Sequence, residues 1–268
     1  MRWELLNSND FAKAVKETKV CVLPIGVLER HADHAPLGTD VLIAHSTCVE
    51  AAELEPCVVF PGYIFGQINE AKCFPGAVTI EPKLALELLE NVVSEIARNG
   101  FKKIVFYNCH GGNWNMLNYF IQYQLYEKRD YTIYMFNDSF PLDGDKSLGD
   151  EARKIVSKYP CHAGEWETSY IMSVEPGCVD LSNVDKEPGL PLGRLSHIKG
   201  ATTAVDWYAD FPRHYDGDAL EASKEKGDAL RALHIRHLAQ FIKAVKQDTV
   251  APALMQEIFD KQQKLTEM

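Results

Sequence analysis

The hydrophobic residues of this chain fall into short continuous runs and into longer stretches with helical spacing. Four apolar runs predict strands, at 20–25, 57–61, 103–108 and 131–136. Between the second and third runs, apolar residues recur at helical spacing from Pro82, which suits a first helical turn, to Gly100, which would end the helix. Strands that alternate with helices indicate a largely parallel sheet that is covered on both faces.

Further helices are predicted at 114–128, from about Gly164 onward, and at 218–247, where leucines and other apolar residues would pack on the sheet. The segment 176–215 is rich in glycine and proline and shows no periodicity. Loops of this length are usually functional or take part in subunit contacts. The chain shows no repeat and no convincing boundary, so we expect residues 1–268 to form a single domain.

The composition describes an acidic globular protein with 46% hydrophobic residues and a formal net charge of -10. Nucleic-acid binding relies on basic patches, and the longest basic run here is Lys102-Lys103, so no nucleic-acid partner is expected. No apolar run approaches the ~20 residues that span a bilayer, which predicts no membrane partner and a cytoplasmic location. The seven cysteines lack CxxC spacing, and most of them are expected to be buried thiols in a reducing compartment.

Acidic and histidine side chains follow the first predicted strand directly. Glu29 and His31 are two residues apart and would project to the same side of an extended segment, and Asp40 would fold back across the turn at 36–38. Carboxylate oxygens and imidazole nitrogens together suit Zn²⁺ or Mn²⁺. Open α/β sheets place their ligands at the carboxyl ends of strands, which is where these residues lie.

A second cluster, at 108–113, follows the third predicted strand and contains His110. Its glycines permit a tight turn, and Asn113 would cap the next helix. A third cluster places His162, Glu165 and Glu167 around the start of a helix. For the second and third clusters a structural interpretation stays open. The second could be only a glycine turn, and the acids of the third could only complement the helix dipole.

Other candidates have two interpretations each. His34 could orient a ligand or be a polar residue of the loop, and Cys109 could be a nucleophile or, as we favour, a buried thiol. The histidines outside the three clusters are expected to be structural or at the surface. They are His45, His197, His214, His234 and His237.

Taken together, the three clusters closely resemble the motifs of the creatininase (creatinine amidohydrolase) family, over about residues 20–240. The motifs read Gly26-x-x-Glu29-x-His31-x-x-His34-x-Pro36-Leu37-Gly38-Thr39-Asp40, then Asn108-x-His110-Gly111-Gly112-Asn113, then His162-Ala163-Gly164-Glu165-x-Glu167-Thr168-Ser169. The resemblance implies a three-layer αβα sandwich with a mostly parallel central sheet. It also implies two divalent metal ions, Zn or Mn with Zn favoured, and a homo-oligomer, commonly a hexamer.

Residue by residue, the resemblance implies that Glu29 and His110 bind one metal, that His31 binds the other, and that Asp40 bridges the two. His162 and Glu167 match the active-site histidine and glutamate of the family. In creatininases proper a glutamate ligand stands where this chain has Gly112. Members with the His-Gly-Gly-Asn form usually carry an extra glutamate in the third motif, so Glu165 is expected to be the missing ligand.

The activity implied is hydrolysis of a small cyclic amide (creatinine-like) or of a formamide through a metal-bridging hydroxide. Glu167 or His162 would move the proton to the leaving nitrogen. One alternative is hydrolytic C–C cleavage of a cyclic polyol ketone, a chemistry also known among relatives. Another is a metal-binding scaffold without turnover, which the complete set of candidate ligands disfavours.

Overall fold

A four-stranded parallel sheet with the order β2-β1-β3-β4 lies at the centre of the computed structural model, which describes residues 1–139 and 146–265. The strands are β1 (Val20–Ile25), β2 (Val58–Val59), β3 (Lys103–Asn108) and β4 (Thr132–Met135). β1 and β3 have the predicted bounds. β2 and β4 lie inside the predicted runs and are shorter.

Helices surround the sheet. They are α1 (Ser8–Thr18), α2 (Thr39–Leu54), α3 (Pro82–Arg98), α4 (Trp114–Tyr123), α5 (Leu148–Ala152), α6 (Glu165–Val174), α7 (Asp206–Asp210), α8 (Lys224–Gln247) and α9 (Val250–Gln263). Short 3-10 turns occur at Trp3–Leu5, Asn69–Ala71, Gly111–Asn113, Pro176–Cys178 and Leu181–Asn183. In the described part of the chain, no helix combines the length and the apolar character that a membrane crossing requires.

The residues of β1 divide the interior into two cores because successive side chains of a strand point to opposite faces. Val20 and Val22 pack with buried residues of α2, α6 and α8 on one face. Cys21 and Leu23 pack with residues of α1, α3 and α4 on the other. The predicted three-layer αβα sandwich is therefore confirmed. α8 packs on one face of the sheet, as predicted.

Three local predictions were wrong. α4 ends at Tyr123 and not near residue 128, because the amides that follow bond to carbonyls three residues back, as in a turn. Leu125 N–H donates to Gln122 O, and Tyr126 N–H donates to Tyr123 O. α8 begins at Lys224 and not at 218, since Ser223 caps it by accepting from the amide of Lys226.

The third wrong prediction is the helix cap at Asn113, which has helical backbone angles and makes no side-chain cap. Its Oδ1 instead accepts from the amide of Gln67 at 2.8 Å, and its Nδ2 donates to Asn108 Oδ1 at 3.0 Å. Asn113 therefore ties the 67–70 loop to the end of β3. No helix was predicted at α1, α2, α5, α7 or α9.

The register of β1 and β3 places the candidate residues on one edge of the sheet. Ile25 pairs with Asn108, so the segments that carry Glu29 and His110 leave the sheet side by side. Gly26 lets α2 pass close to this edge: a Cβ there would lie 2.4 Å from Val41 N. The first turn of α2, which carries Asp40, is thereby held against the end of β1.

Candidate metal centre

Five side chains from four separate segments form a buried cluster at the carboxyl end of β1 and β3. They are Glu29, His31, Asp40, His110 and Glu167, and their exposed fractions lie between 0 and 6%. The segment after β1 supplies the first two, the first turn of α2 supplies Asp40, the loop after β3 supplies His110, and the first turn of α6 supplies Glu167. The structure thus brings together four of the five predicted metal ligands, with Glu167 beside them.

Asp40 lies at the centre of the cluster and faces a different histidine with each oxygen. Its Oδ1 is 3.0 Å from His31 Nε2, and its Oδ2 is 3.2 Å from His110 Nδ1. His31 Nε2 is also 3.5 Å from Glu167 Oε2, and His110 Nδ1 is 2.7 Å from Glu29 Oε1. Two sets of three ligand atoms therefore share Asp40, and within each set all atoms lie within 4.8 Å of one another.

Backbone carbonyls fix which nitrogen each histidine presents. His31 Nδ1–H points to Glu29 O at 3.4 Å, and His110 Nε2–H donates to Gln67 O at 2.9 Å. The remaining nitrogens, His31 Nε2 and His110 Nδ1, then carry lone pairs toward the carboxylates in the neutral rings. Such carbonyl contacts are what orients imidazole ligands of metals in proteins.

The donor set fits divalent cations. Glu29 Oε1 and Asp40 Oδ2 are buried and receive no hydrogen bond among the described residues, which is a costly arrangement without a positive charge beside them. Three carboxylates and two imidazoles around one point match the oxygen and nitrogen ligands of Zn²⁺ or Mn²⁺. The donor set of the cluster is therefore chemically suited to divalent cations.

The pKa values of the cluster in the protein without metal reflect the same excess of buried negative charge. Burial alone would lower the pKa of His31, but Asp40 and, to a smaller degree, Glu167 raise it to about 10. Burial also opposes protonation of His110, yet Glu29 and Asp40 raise its pKa well above the usual value. Burial raises the pKa of Glu167 to about 8. In the protein without metal, bound protons therefore offset the buried negative charge that a cation would otherwise offset.

Glu165 does not join the cluster, which corrects the expectation from the third motif. Its Oε2 accepts from the amide of Ser157 at 2.7 Å and its Oε1 accepts from Lys226 Nζ at 2.6 Å. Burial would raise the pKa of Glu165, but Lys226 and Ser157 lower it below its usual value. Successive helical residues are about 100° apart, so Glu165 and Glu167 cannot face the same point, and it is Glu167 that faces His31.

His162 lies at the edge of the cluster. Its Nε2–H donates to Arg30 O at 2.8 Å, and its Nδ1 is 3.8 Å from Glu167 Oε2. Its ring is 4.6 Å from that of His31. Burial lowers the pKa of His162 to about 3, so the ring is neutral at ordinary pH and has a lone pair on Nδ1.

His214 was expected to be structural or at the surface, and it lies in the site instead. Its Nε2 is 2.5 Å from Glu29 Oε2, and its ring packs 4.5 Å from that of His162. Trp207 Nε1–H donates to its other nitrogen at 2.9 Å. No motif marks this residue, because it belongs to the aperiodic 176–215 segment.

His34 does not contact the cluster. Its Nε2 is 2.9 Å from Thr168 Oγ1 and 3.1 Å from Ala163 O, so it ties the first motif to the third. Cys109 is a thiol whose pKa burial raises well above its usual value, which disfavours a role as nucleophile. Among the other histidines, His234 and His237 are buried and pair with Tyr107 and Glu151.

The cluster opens into a cavity of about 850 Å³. Glu29, His110, His162 and Glu167 lie in its wall. The rest of the described wall mixes aromatic side chains, among them Trp114, Phe136, Tyr159, Trp166 and Trp207, with polar and acidic ones such as Glu70, Asp138, Asp150 and Asp216. A candidate substrate would therefore reach the carboxylates through a cavity with both aromatic and polar walls, with the lone pair of His162 beside it.

Comparison with known proteins places these features in a family. The family model described as creatininase, creatinine amidohydrolase, matches residues 4–242. The creatinine amidohydrolase of Pseudomonas putida is 27% identical over 239 residues, which cover 84% of this chain and 88% of that protein. The mycofactocin precursor peptide peptidase of Mycolicibacterium smegmatis is 34% identical over 238 residues, 85% of each chain.

A more distant relative is the 3-dehydro-scyllo-inosose hydrolase of Thermotoga maritima, 21% identical over 84% of this chain and 76% of that protein. Solved creatininase structures share the fold. One described as of the zinc–zinc type superposes with a TM-score of 0.75 at 22% identity, covering 91% of this chain and 97% of the other. A manganese form gives 0.76 with the same identity and coverage.

Proposed function

Since this chain belongs to the creatininase family of hydrolases, we propose that it is a dinuclear metal-dependent amidohydrolase that cleaves a C–N bond. The observation that carries the proposal is the pair of ligand sets that share Asp40. Glu29, Asp40 and His110 would hold one ion, and His31, Asp40 and Glu167 the other. Zinc or manganese fits these donors, in line with the metals of the creatininase structures.

Two divalent ions in this position would supply Lewis-acid polarisation of a carbonyl and acidification of a water molecule. The chain itself would move the protons. His162 is neutral because burial lowers its pKa to about 3, and its Nε2–H is engaged by Arg30 O. A ring with this pKa is a weak base on its own. We therefore propose that His162 Nδ1 and Glu167 Oε2, which lie 3.8 Å apart, act together: the pKa of Glu167 is raised to about 8, and the pair would take a proton from the attacking water and return it to the leaving nitrogen, a step worth typically ~10²–10⁴ in rate.

Besides holding an ion, Glu167 would take part with His162 in the proton transfer. Its Oε2 accepts from the amide of Ala163 at 2.6 Å and lies 3.8 Å from His162 Nδ1. This arrangement keeps the carboxylate directed at His31 while it faces the proposed base. In this proposal Glu167 takes the ligand role that the third motif had suggested for Glu165.

The substrate proposed is a small amide, with a cyclic amide or a formamide as the first candidate. A short peptide is the second candidate, because the 850 Å³ cavity lies at the upper end of the ~300–1,000 Å³ range of ligand pockets. A creatinine-sized ring would fill only part of it. The 34% identity to a precursor peptide peptidase also favours a short peptide.

A substrate panel tests the proposal. The protein loaded with Zn²⁺ or Mn²⁺ is assayed against creatinine and other cyclic amides, N-formyl compounds, short peptides and inososes, with Glu167→Gln as the inactive control. Amide or formamide cleavage that depends on metal supports the proposal and identifies the class. Cleavage of an inosose without any C–N hydrolysis would contradict it in favour of C–C chemistry.

A further inference from the structure

His214 and Trp207 form a directed hydrogen-bond chain that ends on Glu29. An indole nitrogen only donates, so the 2.9 Å contact from Trp207 Nε1 makes His214 Nδ1 an acceptor. The proton of the neutral ring must then be on Nε2, which lies 2.5 Å from Glu29 Oε2. His214 is therefore a hydrogen-bond donor to Glu29, and with its proton on Nε2 it is not itself a metal ligand.

This donor distinguishes the two oxygens of Glu29. Oε2 is satisfied by His214, whereas Oε1 receives no hydrogen bond among the described residues and lies 2.7 Å from His110 Nδ1. A glutamate side chain turns about its last torsion with a broad, two-fold preference, so an unanchored carboxylate could present either oxygen. Anchoring Oε2 holds Oε1 at the point where His110 and Asp40 converge.

The backbone at His214 is held in an unusual conformation for this purpose. Its φ angle is +53°, in the left-handed region that is sterically disfavoured for a residue with a Cβ. The residue is only 2% exposed, and its ring packs between those of His162 and Phe74, at 4.5 and 5.5 Å. Strain retained at a fully buried side chain beside a candidate catalytic site is typical of a position constrained by function.

We propose that His214, held by Trp207, is a positioning residue that sets the affinity of the Glu29–Asp40–His110 site for its ion. The inference rests on the proposed metal centre and adds residues that the motifs do not contain. It predicts an asymmetric effect: loss of the chain weakens the site that uses Glu29 and leaves the site of His31 and Glu167 close to its original affinity.

Metal titration of the full-length protein tests this inference without relying on turnover. Stepwise affinities for Mn²⁺ or Zn²⁺ are measured for wild type, His214→Ala, His214→Gln and Trp207→Phe, together with the visible spectrum after Co²⁺ loading. We expect His214→Ala to weaken one of two sites by about 10- to 100-fold, the usual effect of losing a partner of a metal ligand. His214→Gln, which keeps an amide donor, should recover part of the affinity.

Trp207→Phe keeps a ring but removes the N–H, so it should weaken the same site by a smaller factor and add nothing in the His214→Ala background. His237→Gln is the matched control, since His237 is buried and bonded to Glu151 at 2.8 Å and neither residue lines the cavity. It should leave both affinities unchanged.

Two results would overturn the inference. One is His214→Ala with both affinities and the Co²⁺ spectrum unchanged. The other is an equal loss at both sites with a lower melting temperature of the metal-free protein, which would indicate a packing role only. A wild-type protein that fails to bind two ions would count against the proposed metal centre itself, so the two failures are distinguishable.

Discussion

His31 Nε2 lies 3.0 Å from Asp40 Oδ1, while the other oxygen of the same carboxylate faces away from His31 toward His110. One short side chain thus touches both halves of the cluster, although residues 31 and 110 come from different strand ends. This relationship makes Asp40 the side chain whose removal should affect both halves at once.

Asp40→Ala is expected to remove both metal ions and to abolish activity, because each ligand set loses one of its three members. His31→Ala, which affects only one of the two sets that share Asp40, should mainly weaken one ion. Elemental analysis of the dialysed variants measures this difference. Two ions retained by Asp40→Ala would disprove the bridging role.

Glu167→Gln and Glu165→Gln form a matched pair on one helix. The first should lose one metal ion and reduce kcat/KM by at least about 10²-fold, since it removes a charged ligand beside His31. The second should keep both ions and lower the melting temperature, because Lys226 and Ser157 lose an acceptor worth ~1–3 kcal/mol. A Glu165→Gln protein that lacks one ion but unfolds normally would restore the prediction made from the motif.

Gly112→Ala is expected to weaken metal binding through His110. A Cβ at position 112 would lie 2.5 Å from His110 Nε2, so the ring must leave the carbonyl of Gln67 that orients it. We expect a loss of about 10- to 100-fold in the affinity of the Glu29–Asp40–His110 site, by titration with Mn²⁺.

Gly111→Ala provides the control for this variant, because no described atom lies within 4 Å of the Cβ position at residue 111. Its metal affinity should equal that of wild type. Equal losses in the two alanine variants would point to backbone effects of the glycine turn and not to the imidazole of His110.

The metal-free protein should lose stability as the pH rises. The pKa of Glu167 is raised to about 8 and that of His31 to about 10, so both contribute stability that is present below their unfolded values and lost as the pH passes their folded values. The lowered pKa of His162, about 3, acts at the other end and removes stability as the pH falls below its unfolded value.

Melting temperatures after chelation should therefore fall between about pH 6 and pH 9, and the fall should be smaller in Glu167→Gln. Added Zn²⁺ or Mn²⁺ should reverse the trend, since ions compete with protons for the same ligands. A melting temperature of the chelated protein that rises over this range would contradict the charge assignment.

The parts of the fold that the sequence predicts are those with an unambiguous burial pattern. β1 and β3 are buried on both faces, so their residues form continuous apolar runs with clear ends. α9 has no such pattern: it buries Phe259 but exposes Val250 and Leu254, so its helical spacing carries little signal. The same reason explains why its presence went unnoticed after α8.

At the site, spacing in the sequence identified Glu29, His31, Asp40 and His110 as neighbours because each follows a strand or turn that the fold brings to one edge. The resemblance led us to expect Glu165 as the fifth ligand, whereas the structure places Glu167 beside His31. Local sequence could not reveal this, since the choice depends on how α6 is rotated about its axis relative to β1. It also missed His214, whose contact with Glu29 spans 185 positions and whose left-handed backbone no local pattern predicts.

The 185 positions that separate His214 from Glu29 along the chain have a consequence for how the protein folds during synthesis. When the first 150 residues have left the ribosome, most of the acidic and imidazole groups are present, but Glu167 and His214 are still to come. Closing such long loops costs entropy that only the completed sandwich repays, so the emerging chain has little ability to retain an ion. Ions that bind only the finished fold stabilise it by mass action. The supply of free metal just after synthesis would then set how much stability newly made chains gain over the metal-free fold.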